Sequence, residues 1–206
     1  MDQVYWNNYY NKGVAPTNPS AFATDILSHL KSGKKLVELG CGNGRDALLF
    51  AEKGIEVTAI DQSEESIKKL KEKHYSCKIN FEVDDFVESE ILKSQEFNYV
   101  YSRFTIHSIS DEEESSLVKR VYDTLESNGL FFIEVRSVKD DIYGLGEQVA
   151  RNTYVYNEHS RRFVEKDELV SKLKDTGFKI VQAIEDKNFA IYKNENPIVI
   201  RIIAKK

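Results

Sequence analysis

Three acids close three short apolar runs: Glu38 in KLVELGCGNGR, Asp61 in IEVTAID and Asp84 in INFEVDD. A strand-end carboxylate is placed to accept hydrogen bonds, and the carboxyl ends of parallel strands are where open sheets hold ligands. Behind Glu38 stand Gly40, Gly42 and Gly44, which let the backbone turn tightly and approach a ligand, followed by a helical pattern whose first N–H groups are free to meet it. Further along, Arg103 and His107 lie in YVYSRFTIHSIS, Arg136 follows LFFIEV, and His159, Arg161 and Arg162 share YNEHSRRF. The arginine fork suits carboxylate and phosphate bidentately, and histidine accepts a proton near neutral pH. Together these residues describe one ligand held by acids and glycines, and a second, anionic molecule met by arginines.

A frame for them is readable. Short apolar runs at 35–39, 55–60, 79–83, 99–102 and 130–135 alternate with helical patterns, the signature of crossover units and a mostly parallel sheet. A helix over 46–53 stops at Gly54; another starts at Ser63 with Glu64 and Glu65 in its first turn; a third opens on a Ser110–Glu113 capping box and stops before Gly129. The polar stretch 136–162 has no period and reads as a lid or binding loop. A helix over 167–176 then leads to strands at 178–184, 189–192 and 198–204, which lack helices between them and so finish the sheet antiparallel. The expected organisation is one domain over 1–206: an N-terminal cap at 1–30, a cofactor core at 35–135, a substrate lid at 136–165 and a C-terminal helix and strands at 166–206.

The glycine spacing separates two ligands. A dinucleotide fingerprint needs G-x-G-x-x-G, but Arg45 stands where its third glycine belongs and Gly44 comes one place early. Glu38 adds an acceptor for a cationic amine, which a phosphate ligand does not carry. Asp61, about 20 residues after the loop, suits the ribose of either ligand.

ELGCGNGR resembles the first motif of the class I S-adenosylmethionine-dependent methyltransferases, and the likeness extends by motif over 35–135. It implies a Rossmann-like α/β fold with a seven-stranded, mostly parallel sheet, an antiparallel C-terminal strand and helices on both faces. It implies S-adenosyl-L-methionine as cofactor, leaving as S-adenosyl-L-homocysteine. The glycine loop, with Cys41 and Arg45, passes the methionine part. Asp61 takes the ribose hydroxyls beside Gln62, Asp84 takes the adenine amine, Asp85 or Phe86 gives backbone or stacking contacts, and Ser102 ends the neighbouring strand. Trp6, in an aromatic N-terminal segment with Tyr5, Tyr9 and Tyr10, either packs on the sheet or closes over the sulfonium by a cation–π contact, with Pro16 and Pro19 as hinge.

For the acceptor, Arg103 and His107 stand where such enzymes place acceptor-facing groups, and Arg136, Tyr143, His159 and Arg161 complete an anion-binding set. His107 is a general base for a neutral nucleophile, or an orienting group if the attacked oxygen is itself anionic. SRFTIHSI, EVRSVKDDIYGLGE, HSRRF and NPIVIRIIAKK are similar to a bacterial subgroup associated with capsule and surface-glycan modification, implying O-methylation of a sugar or phosphorylated precursor. Chain length and ELGCGNGR also resemble the tellurite-resistance methyltransferases, so detoxifying methylation of a chalcogen or thiol stands as an alternative, as does a non-catalytic S-adenosylmethionine-binding protein. An NAD oxidoreductase is disfavoured by Glu38 and the glycine spacing.

Composition bounds the rest. A net charge of −5 argues against a general nucleic-acid surface. Two cysteines without a CxxC and four histidines without ligand spacing indicate neither disulfide framework nor metal site. MDQVYWNNYY has neither basic n-region nor apolar h-region, and no stretch reaches a membrane span, so a cytoplasmic location is expected.

Overall fold

The computed structural model describes residues 5–6, 15–73 and 75–206. Its centre is a seven-stranded sheet in the order β3-β2-β1-β4-β5-β10-β9. The strands are β1 Lys35–Leu39, β2 Glu56–Asp61, β3 Ile79–Val83, β4 Phe97–Arg103, β5 Leu125–Arg136, β9 Lys179–Asp186 and β10 Val199–Lys205. The first five pair in parallel, and β10 runs antiparallel to both β5 and β9. The order reverses between β1 and β4, the switch point at which such sheets open a crevice.

Strand residues divide between two cores with a period of two. Leu36, Tyr99, Tyr101 and Phe132 face one cluster with Phe22, Phe50 and Leu70, whereas Val37, Val100, Phe131 and Ile133 face the other with Leu117, Val121 and Leu169. The helices around the sheet are α1 Ala21–Asp25, α2 Arg45–Glu52, α3 Glu64–Lys71, α4 Glu90–Ser94, α5 Asp111–Thr124 and α6 Lys166–Thr176. Burying each such Leu, Val or Phe stabilises the layering by about 1.5–3 kcal/mol. Serine side chains cap α1, α3, α4 and α5, and the Ser110–Glu113 box forms as expected.

Two expectations are corrected. The stretch after β5 is not an unstructured loop: it holds a second sheet of three antiparallel strands, β6 Glu147–Ala150, β7 Thr153–Tyr156 and β8 His159–Arg162. These strands are four residues each, and every residue of β6 is exposed, so no alternating apolar face marks them. Asn157 and Glu158 both take positive φ (52° and 60°), the backbone of a tight two-residue hairpin, without the glycine that marks such a turn in a sequence. Residues 189–192 are not a strand; they belong to the connection between β9 and β10, tied by an isolated Tyr192–Glu195 bridge. The short helix α4 carries no signal longer than five residues and was not expected.

Candidate active site

A cavity of about 690 Å³ opens over the carboxyl ends of β1, β2 and β4. At one end it is lined by Glu38, Gly40, Cys41, Asp61, Gln62 and Phe86. Glu38 is only 4% exposed, and its Oε2 has no hydrogen-bond partner among the described residues. Burial raises this carboxyl well above the usual range, and the charges of Asp46 and Asp61 raise it further. A buried acceptor without a donor is costly, so the site suits a ligand that brings one, as the ammonium of S-adenosylmethionine would.

The glycine loop is shaped by its neighbours. Gly40 has φ +69°, and a Cβ there would run into Thr105 Cγ2; Gly44 has φ +76°, and a Cβ there would lie only 2.9 and 3.0 Å from the Leu70 and Phe81 side chains. Asp61 fixes the loop: Oδ2 accepts from Gly42 N at 2.8 Å and Oδ1 from Ser63 N at 2.8 Å. Burial raises its pKa, and these two backbone donors pull the other way. A carboxylate has about four lone-pair sites, so it can hold the loop and still face a diol. Gly42 and Gly44 thus act from behind the cavity wall.

Other expected cofactor residues are placed differently. Asp84 Oδ2 accepts from Ser89 Oγ at 2.5 Å and Oδ1 from Asp85 N at 2.9 Å, while Asp85 Oδ1 accepts from Val87 N at 2.9 Å. Both acids shape the turn after β3 and neither lines the cavity, whereas Phe86 does. Ser102 is fully buried against Thr105, its hydroxyl bonded to the Thr105 hydroxyl. Arg45 lines the cavity and also donates to Asn18 O at 3.0 Å.

Residues 15–20 lie over the glycine loop. Asn43 donates to Pro16 O at 2.8 Å, and Asp46 accepts from both Ser20 N and Ser20 Oγ at 2.7 Å while Tyr101 OH donates to it at 2.9 Å. Ala15, Pro16, Pro19 and Ser20 line the cavity, as does Trp6. Tyr9 and Tyr10 lie outside the described residues. The sequence did not single out Ser20, Asn43 or Asp46; the buried Asp46 in the first turn of α2 was the signal that could have found them.

The other end of the cavity is lined by Arg103, Phe104, Thr105, Arg136 and the 188–197 connection. Phe104 sits at φ +56°, its ring 4.4 Å from the Arg103 guanidinium carbon and 5.9 Å from that of Arg136. Arg103 already has an anion: its Nε lies 2.8 Å from Glu134 Oε1, at an angle too oblique for a hydrogen bond. Burial alone lowers the Arg103 pKa, but Glu134, Tyr101 and Asp46 together more than offset it. Arg136 donates to both Asp140 oxygens at 3.3 and 3.2 Å and to Glu195 Oε2 at 2.6 Å. Residues 188–197, including Glu195, were missed because they read as a strand and a turn.

His107 does not line this cavity. It sits behind Phe104, its ring stacked at 5.7 Å, and lines a second cavity of about 500 Å³ beneath the small sheet. Among the described residues neither of its buried nitrogens has a partner. Burial, then His159 and the Arg161, Arg136 and Arg162 cations, hold it well below the ordinary imidazole range, so it is neutral at pH 7. The direct general-base placement is therefore corrected: the turn after β4 aims Phe104, not His107, at the cavity. His159 stacks on Tyr5 at 4.1 Å and meets Trp6 edge-on at 5.1 Å, and burial with the Arg161 and Arg136 charges lowers it to about 3. Arg161 adjoins Arg136; burial and that like charge lower its pKa, and among the described residues its side chain makes no hydrogen bond or ion pair. Tyr143 does not join the site: it is 37% exposed and donates to Asn152 Oδ1 at 2.9 Å.

A family model described as a methyltransferase domain matches residues 13–183. The chain belongs to this family. The methyltransferase is 27% identical over 122 residues to a carboxy-S-adenosyl-L-methionine synthase of Nautilia profundicola, an alignment covering 57% of this chain and 51% of that protein. The chain thus spans about half the length of that curated relative. Among solved structures, an S-adenosylmethionine-dependent methyltransferase of Methanosarcina mazei superposes with a TM-score of 0.75 at 19% identity, covering 88% of this chain and 96% of that one. The 1,6-didemethyltoxoflavin N1-methyltransferase of Burkholderia thailandensis, solved with its acceptor and S-adenosylhomocysteine, superposes with a TM-score of 0.72 at 19% identity, covering 96% and 83%. The cofactor of the methyltransferase is S-adenosylmethionine. Glu38, Gly40, Cys41, Asp61, Gln62 and Phe86 line the part of the cavity that would hold it, and when bound it would supply a methyl group on a sulfonium, activated for in-line displacement.

Proposed function

We propose that this methyltransferase O-methylates a small anionic acceptor, a sugar or phosphorylated precursor of a surface glycan. The observation that carries the reading is Arg136 at the acceptor end of the cavity, with the like charge of Arg161 acting on it from outside the cavity lining and in no ion pair among the described residues. Two adjacent, largely buried cations repel one another, and an acceptor carboxylate or phosphate relieves that cost through charge-assisted hydrogen bonds. Methylation of an anionic oxygen also fits the pairing of the described acceptor-end carboxylates, Glu134 and Glu195, with arginines, and the place of His107 behind Phe104. Residues 15–20 and Trp6 cover the cavity and exclude water, which the transfer needs.

The test is methyl transfer from labelled S-adenosylmethionine to a panel of sugar carboxylates, sugar phosphates and their neutral parents. Methylated product from anionic members only, with the acceptor KM raised by Arg161→Ala and S-adenosylhomocysteine affinity kept, supports the reading. Transfer to neutral parents with equal efficiency would sink it.

A further inference from the structure

The acceptor end already contains a carboxylate that differs from every other acid near it. Asp140, on the opposite side of Arg136, is buried, and its Oδ1 also accepts from Ile142 N at 3.1 Å, so it belongs to the wall. Glu134 is fully buried between Arg103 and Arg201. Glu195 is attached differently. Its side chain is 64% exposed, its carboxylate meets Arg136 alone among the described residues, and it stands on the 187–198 connection, which pairs with neither sheet. It also acts on Arg161, whose charge it favours together with Asp140.

The charges around it group into balanced sets. Arg103 and Arg201 are matched by Glu134 and Asp25, and Arg162 and Lys172 by Glu114 and Asp111. Among the described residues Arg136 pairs with both Asp140 and Glu195, whose charges also favour that of unpaired Arg161, while His107 and His159 stay neutral. If Glu195 swings out, this last set alone is left with a single positive charge, beside the cavity and next to Phe104. A dianion would leave it negative.

Resting on the anionic-acceptor reading above, we propose that Glu195 is an internal stand-in for the acceptor's charged group, and that this group is a single negative charge of carboxylate type. The acceptor displaces Glu195 from Arg136, and the freed cation pair selects a monoanion over a monoester phosphate. Glu195 is therefore a specificity-determining residue: it keeps the cation pair neutral when no acceptor is present and competes with weakly bound anions.

The experiment is calorimetric titration of the S-adenosylhomocysteine-loaded protein with glucuronate, glucose 6-phosphate and glucose, at about pH 8, where a monoester phosphate carries two charges. These three share a sugar and differ in charge. The expected result is glucuronate bound more tightly than either of the others, and bound about three- to tenfold more tightly by Glu195→Gln, because a competing exposed ion pair is removed. Affinity for S-adenosylhomocysteine itself should be the same in both proteins, which also reports that the variant is folded. Equal glucuronate affinity in wild type and Glu195→Gln overturns the stand-in role and leaves the anionic acceptor in place. Tighter binding of glucose 6-phosphate overturns the single-charge class alone. If neither anion binds better than glucose in either protein, the anionic-acceptor reading falls and this inference with it.

Discussion

Glu38 joins a residue's environment to its function most directly. Buried without a donor on Oε2, it holds its proton to a higher pH in the native chain than in the unfolded one. Its contribution to stability is therefore present below the unfolded carboxyl pKa and is lost as pH rises from there to the raised native value. A cationic amine beside it reverses this, since the pair favours the ionised form. We expect S-adenosylhomocysteine to bind with proton release within that window, and the thermal shift it produces to grow as pH rises through it. Glu38→Gln should abolish the pH dependence and weaken binding by about 1.5–3 kcal/mol, the scale of a hydrogen bond to a charged group. A Glu38→Gln thermal shift that follows the wild-type pH curve would show that the amine lies elsewhere. This residue was legible in the sequence, because a strand-end acid two places before a glycine turn has few structural uses. His107 and Asp84 were not, since their side-chain directions depend on the turn after each strand: the positive φ of Phe104 puts that ring on the cavity, and Ser89 draws Asp84 into its own loop.

At the scale of elements, the β1–α2 turn is set by contact with another turn. Gly40 is left-handed and meets Thr105, which leads into the 3-10 turn Ile106–Ser108. Gly40→Ala combines unfavourable φ with a clash and should cost about 1–3 kcal/mol of unfolding free energy, measured by urea denaturation. Adding Thr105→Ser removes the clashing methyl and keeps the hydroxyl that bonds Ser102, so the double variant should recover part of the loss. Strictly additive costs would show that φ alone matters. The Ser20–Asp46–Tyr101 network plays a similar part for the cap: Asp46→Asn should loosen residues 15–20, seen as faster proteolysis there and weaker cofactor binding. Unchanged cleavage would detach the cap from this network. The helices and parallel strands were readable from periodicity and caps, but the small sheet was not. Of its strand residues only His159 and Arg162 are buried, and neither is apolar, so the physical cause of the sequence pattern is missing.

Across the whole molecule, Arg201 on β10 gathers distant segments. It reaches Glu134 at 2.6 Å, Asp25 at 2.7 Å and Phe189 O at 2.8 Å, and stacks on Phe22 and Phe189 at 5.0 and 4.6 Å. With Arg103 on the other side of Glu134, this links β4, β5, β10, α1 and the 187–198 connection beneath the acceptor end. Glu134→Ala leaves two buried guanidinium groups short of an anion and should cost about 3–5 kcal/mol. Asp25→Ala, on the exposed side, should cost about 1 kcal/mol or less. Similar urea midpoints for the two variants would contradict that ranking. No helix among the described residues is long and apolar enough to cross a membrane. The sequence by itself determined the alternating β and α elements, the antiparallel finish, the glycine turn and the acids Glu38 and Asp61, because each is imposed by local periodicity, capping or backbone freedom. Tertiary structure alone decided which arginines are already paired, that His107 turns away from the cavity, and that Glu195 enters it. Those facts depend on which side chains meet across the sheet, and charge pairing over a separation such as the 176 residues between Asp25 and Arg201 leaves no pattern along the chain.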